Sequence, residues 1–136
     1  MLRIVLDTNV LVACISRKSP HFWIWESLLE SKFELCVTTD ILDEYAEIVE
    51  RYFGTVTAEY AMKQLALLNN IIPIVNYYRW GIMYTDPDDN KFFDCAVAAN
   101  AHYLISEDNH FSILNKIDFP KVQRIRTSDF KNLLNI

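Results

Sequence analysis

Five short apolar runs, Leu2 to Leu6, Glu34 to Val37, Ile71 to Val75, Tyr103 to Ile105 and Val122 to Ile125, have the length and residue types of buried strands. Stretches of helical periodicity separate them. Helices are expected at Asn9–Ser16, at His21–Ser31 after Pro20, and at Asp40–Tyr52 behind a Thr38/Thr39 cap. Three more are expected at Ala58–Asn69 behind Thr57, at Lys91–His102, and at Ser128–Leu134 behind Thr127. Strands separated by helices pair mostly in parallel, because parallel neighbours need long crossovers, and right-handed crossovers put helices on both faces of the sheet. The expected class is therefore α/β with a central, mostly parallel sheet. A chain of 136 residues that is 51% apolar matches one domain, residues 1–136, with one core.

Composition removes several chemistries. Gly54 and Gly81 are the only glycines, so neither a P-loop nor a dinucleotide fingerprint can be built. No GxSxG elbow is present, and His21, His102 and His110 lack the spacing of a zinc-protease motif. Cys14, Cys36 and Cys95 are odd in number, far apart and flanked mostly by apolar residues, which reads as buried thiols. No apolar run reaches the roughly 20 residues that span a bilayer, and Met1 to Leu6 leads into Asp7 without a cleavage pattern, so a cytoplasmic protein with no membrane partner is expected. The net charge of −5 argues against a broad basic face.

The acids are where chemistry concentrates. Between Asp86 and Phe111 stand six of them, most followed by apolar, helix-forming residues. Asp7 closes the first apolar run, at the carboxyl end of a strand, where open α/β sheets bind ligands. Asp108 follows Ile105 by three residues at the end of another predicted strand. Asp94 is expected in the first turn of an apolar helix, and Glu44 one turn into the helix after the second strand. Taken singly, each has an ordinary role: a helix-end charge for Asp94, a cap for Asp40 or Asp108, a solvated face for Glu44. Taken together, Asp7, Glu44, Asp94 and Asp108 come from four segments and fall at one edge of the predicted sheet. Carboxylates so gathered need a neutralising cation, and oxygen donors suit Mg²⁺ or Mn²⁺ better than zinc.

These residues carry a family resemblance that spans nearly the whole chain. Ile4-Val5-Leu6-Asp7-Thr8-Asn9 resembles the first motif of PIN-domain proteins, a strand ending in Asp followed by Thr/Ser and Asn. Asp86-Pro87-Asp88-Asp89-Asn90-Lys91-Phe92-Phe93-Asp94, the Ala-rich helix after it and Tyr103-Leu104-Ile105-Ser106-Glu107-Asp108 resemble the third and fourth motifs. The resemblance implies a three-layer α/β/α sandwich and a quartet of Asp7, Glu44, Asp94 and Asp108 holding Mg²⁺ or Mn²⁺, with Asn9 and Ser106 in support. Asp43 competes with Glu44, Ser106 stands where threonine is more usual, and His110 stands where a second acid often follows. Asp86, Asp88 and Asp89 read as a solvated acidic turn, with a supporting role for the site as the alternative.

By the same resemblance, the expected activity is metal-dependent endoribonuclease cleavage by the toxin of a toxin-antitoxin pair, leaving 5′-phosphate and 3′-hydroxyl ends. The implied partners are an RNA substrate, a small antitoxin protein and a second copy in a homodimer. Two rivals are weighed. A phosphatase of the haloacid dehalogenase type needs a DxDx[TV] pattern, whereas this chain has Asn9 at the second position. A catalytically silent module would use the same acids to bind a basic partner. Most of the aromatic residues in His21 to Trp25 and Tyr77 to Trp80 read as core, with Trp25 and Trp80 the candidates for exposed contact.

Overall fold

The computed structural model describes residues 1–136. Its strands are β1 (Arg3–Leu6), β2 (Glu34–Val37), β3 (Ile71–Pro73), β4 (Tyr103–Ile105) and β5 (Arg124–Ile125). The helices are α1 (Thr8–Cys14), α2 (Phe22–Leu29), α3 (Thr39–Phe53), α4 (Thr55–Leu67), α5 (Asn90–Ala98) and α6 (Thr127–Leu133). All strand pairs are parallel and the order across the sheet is β3-β2-β1-β4-β5. With helices on both sides, this is the three-layer α/β/α sandwich. The two edge strands are shorter than expected: β3 stops at Pro73, whose ring nitrogen has no hydrogen to donate, and β5 begins only at Arg124.

β1 lies at the centre because both its faces are covered. Ile4, Val5 and Leu6 have no exposed surface, as expected for a parallel strand flanked by helices. From β1 the chain builds outward through β2 and β3, then crosses back to lay β4 and β5 on the other side. The reversal opens a crevice beyond the carboxyl ends of β1 and β4. Register fixes what lines it: Leu6 is opposite Ile105, and the Asp7 amide donates to the Ile105 carbonyl at 3.1 Å. Asp7 and Ser106 thus leave neighbouring strands side by side.

Some local expectations shift. Thr38 caps α3, its Oγ1 accepting from the Ile41 amide at 3.2 Å. The helix after it is capped not by Thr57 but at Gly54, whose φ of 90° makes a sharp corner that ends α3 and starts α4. Thr127 lies inside α6, with Arg126 at the cap position. Trp25 is only 2% exposed, because it shares the inward face of α2 with Ile24 and Leu28; the expectation of an exposed contact there fails. The three cysteines are buried and free. No helix is long and apolar enough to cross a membrane.

One buried phenol ties α3 to the crevice. Tyr45 has no exposed surface, and its hydroxyl donates to the Leu6 carbonyl at 2.6 Å, next to Asp7. Tyr45→Phe removes that bond while keeping the ring, so a loss of about 1–2 kcal/mol is expected in urea denaturation. An unchanged midpoint would show that the bond holds nothing.

Candidate active site

At the crevice, a cavity of about 220 Å³ is lined by five carboxylates, Asp7, Glu44, Asp86, Asp89 and Asp108, with Thr8, Asn9, Ile48, Phe92 and Phe111. The five acids arrive from four segments, with Asp86 and Asp89 sharing one turn. Asp7 ends β1 and caps α1, its Oδ1 accepting from the Val10 amide at 2.9 Å, while its Oδ2 accepts from the Ser106 hydroxyl. That same hydroxyl oxygen accepts from the Asp108 amide at 2.9 Å, so Ser106 sets the carboxylate of one strand end and the backbone of the other. Glu44 comes from α3 and is gripped between the Thr8 hydroxyl and Lys91 Nζ, the latter at 2.9 Å.

The turn after β4 sorts its two acids. Arg124 donates to the carbonyls of Ser106 at 3.0 Å and Asp108 at 2.9 Å, pinning the loop. Glu107 is drawn the other way, accepting from the Thr127 amide at 2.8 Å and pairing with Arg126 at 3.1 Å. Asp108 is left on the cavity side, where its Oδ1 caps the 3₁₀ segment Asn109–Lys116 by accepting from the His110 amide at 2.9 Å.

Asp94 does not join this cluster. A 3₁₀ turn at Pro87–Asp89 precedes α5, which begins at Asn90, so Asp94 lies beyond the first turn rather than within it. Asp89, not Asp94, stands at the helix entrance. From one to the other the chain advances about 7.5 Å and rotates about 140°. Asp94 is 5% exposed and accepts from the Trp80 amide at 3.2 Å. It lines a second groove of about 650 Å³ together with Asp40, Asp43, Glu44, Glu47, Arg79 and Lys91. Only Glu44 is common to cavity and groove. Of the other expected supporting residues, Asn9 is exposed on the cavity wall and Ser106 is wholly buried beneath it.

Burial, with neighbouring acids adding to it, raises the proton affinity of Asp89 and Asp7. Burial pushes the Asp89 carboxyl up to about 7, with Asp86, Asp108 and Asp7 adding repulsion. Asp7 is also raised by burial, against the lowering pull of Ser106 and the Val10 amide. Asp94 is raised by burial too, but the Trp80 amide and Arg79 oppose the shift. Asp89 Oδ2 is buried with no hydrogen-bond partner. His110 Nδ1 stands at the rim, 3.4 Å from Asp108 and 3.7 Å from Asp86. One ligand atom each from Asp86, Asp89 and His110 lie within 4.8 Å of one another. An unpartnered oxygen among oxygen-rich neighbours fits a hard divalent cation of the Mg²⁺ or Mn²⁺ type.

A sequence profile of the PIN domain matches residues 3–110, from the start of β1 to the rim histidine. The chain belongs to the PIN-domain family. The fold of this PIN domain is similar to a chain in the crystal structure of VapBC2 from Rickettsia felis bound to a DNA fragment from their promoter. There the TM-score is 0.63 at 17% identity, covering 92% of this chain and 98% of that one. It is similar also to Mycobacterium tuberculosis VapC20, a sarcin-ricin loop cleaving toxin, with a TM-score of 0.57 at 15% identity over 81% of this chain and 93% of that one. Among curated proteins, none matches this PIN domain.

Proposed function

We propose that this PIN domain is a divalent-metal-dependent endoribonuclease and the toxin of a toxin-antitoxin pair, acting in the cytoplasm. The observation that carries the reading is the cavity of five carboxylates with an unpartnered buried oxygen on Asp89. The family and the fold shared with a sarcin-ricin loop cleaving toxin support RNA as the substrate. Asp7, Asp86, Asp89 and Asp108 would hold Mg²⁺ or Mn²⁺, with Glu44 and His110 at the margins. When bound, the ion supplies positive charge against the developing oxyanion and lowers the pKa of water.

The chain's own residues prepare that site. Ser106 and the Val10 amide hold both oxygens of Asp7 in place, so no reorganisation is needed when substrate enters. Thr8 and Lys91 hold Glu44 at the rim. Phe92 and Phe111, in edge-to-face contact at 6.2 Å, supply an apolar wall that limits water on one side.

A small antitoxin covering the acidic cavity, and a homodimer, complete the proposal. Tyr52, Val56 and Tyr60 stand exposed on α3 and α4, an apolar surface of the kind a partner covers. The test is cleavage of structured RNA, tRNA and single-stranded RNA with Mg²⁺ or Mn²⁺, comparing the wild type with Asp7→Asn. Metal-dependent cutting that falls at least about 100-fold in the variant is expected. A well-folded, partner-free wild type that cuts none of these RNAs would overturn the reading.

A further inference from the structure

Between β3 and α5 the chain exposes rings instead of burying them. Tyr78 is 63% exposed and Tyr77 is 92% exposed. Tyr78 packs on Trp80 with ring centroids 4.5 Å apart, and Trp80 meets Phe119 edge to face at 5.9 Å. Phe119, from the loop before β5, is itself 81% exposed. Three rings from two separate segments therefore form one continuous aromatic surface, anchored through half-buried Trp80 and open at both ends.

Its position connects it to the acids. The Trp80 amide donates to Asp94 in the groove wall, and Arg79, between Tyr78 and Trp80, lines that groove with Lys91 and Glu44. Glu44 also borders the acidic cavity. The groove itself is mostly acidic and repels phosphate, so a nucleic acid held along it must be gripped by something other than a basic floor. Aromatic faces do this for unpaired bases irrespective of charge, whereas a duplex hides its bases in the stack. Cations accompany the rings: Arg79 beside Tyr78, and Lys116 and Lys121 within three residues of Phe119.

We infer that Tyr78, Trp80 and Phe119 form a stacking platform for unpaired nucleotides flanking the scissile bond. The inference rests on the ribonuclease reading and adds to it where the strand is held.

The experiment titrates the full-length Asp7→Asn chain with a short single-stranded oligoribonucleotide and with the same sequence in a blunt duplex, following tryptophan emission. Expected is quenching by the single strand only, lost in Trp80→Phe, with affinity about tenfold weaker in Tyr78→Ala, Phe119→Ala and Phe119→Leu. Equal binding of duplex and single strand, or undiminished binding by folded Phe119→Ala and Tyr78→Ala, would overturn the platform. So would a change in sedimentation in those variants without a change in RNA binding, since the rings would then cover a second copy. Failure of the two readings is separable. Quenching without cleavage by the wild type defeats the nuclease and keeps the platform; cleavage indifferent to both alanine variants defeats the platform alone.

Discussion

Asp89→Asn is expected to lower RNA cleavage at saturating Mg²⁺ by at least about 100-fold, while Asp94→Asn lowers it by less than about tenfold. Asp89 shares its cavity with Asp7, Asp86 and Asp108 and carries the buried oxygen without a partner. Asp94 opens on the neighbouring groove, and its structural work is to accept the Trp80 amide at 3.2 Å, which an asparagine oxygen can also do. The variants are nearly isosteric, so both should fold, and circular dichroism with single-turnover rates separates lost chemistry from lost structure. The reverse order, with Asp94→Asn the more damaging, would return the metal to the quartet that includes Asp94.

The second large effect is on stability, and it changes sign with metal. The Asp89 carboxyl is raised to about 7 by burial and by Asp86, Asp108 and Asp7. Its folded-state pKa lies above the unfolded value, so protonation favours the fold. The contribution is complete below the unfolded pKa of 3.8 and disappears as pH rises through about 7. Asp89 is partly open to solvent, and screening limits the effect to about 1 kcal/mol, or about 3 °C in Tm. Without metal, Asp89→Asn should therefore melt higher than the wild type at pH 8, by an amount that shrinks toward pH 4. Millimolar Mg²⁺ should reverse the order at pH 8, because a ligand that binds only the folded wild type stabilises it alone. A gap between the two proteins that ignores both pH and Mg²⁺ would mean Asp89 is neither repelled nor a ligand.

Much of this architecture was legible from residue patterns. The apolar runs marked all five strands, and the acid closing the first run marked the ligand edge, because strand polarity and crossover handedness leave little choice in an α/β chain. Asp7 and Asp108 meet in the crevice for that reason. The acids before α5 were harder to place, since Asp86-Pro87-Asp88-Asp89 has the composition of a solvated turn. Pro87 instead begins a 3₁₀ turn, which places Asp86 and Asp89, three residues apart, on one side. Lys91 and Thr8, which hold Glu44, were invisible for another reason. A lysine inside a predicted helix and a threonine after a strand have many uses, and only tertiary packing of α1, α3 and α5 gives them this one. Trp25 was misread because aromatic clustering alone does not reveal which helix face turns inward.

The bond between Asp7 and Ser106 joins positions 99 residues apart, and that separation has a consequence in time. A nascent chain that has emerged through α4 already displays Asp7 and Glu44, yet Asp89, Ser106 and Asp108 have still to be made. β1 at that stage has only β2 for a neighbour, since β4 comes later. Under the proposed function, the growing polypeptide is harmless to RNA beside the ribosome until its fourth strand docks. A ribosome stalled before that point releases an incomplete chain with no cutting edge.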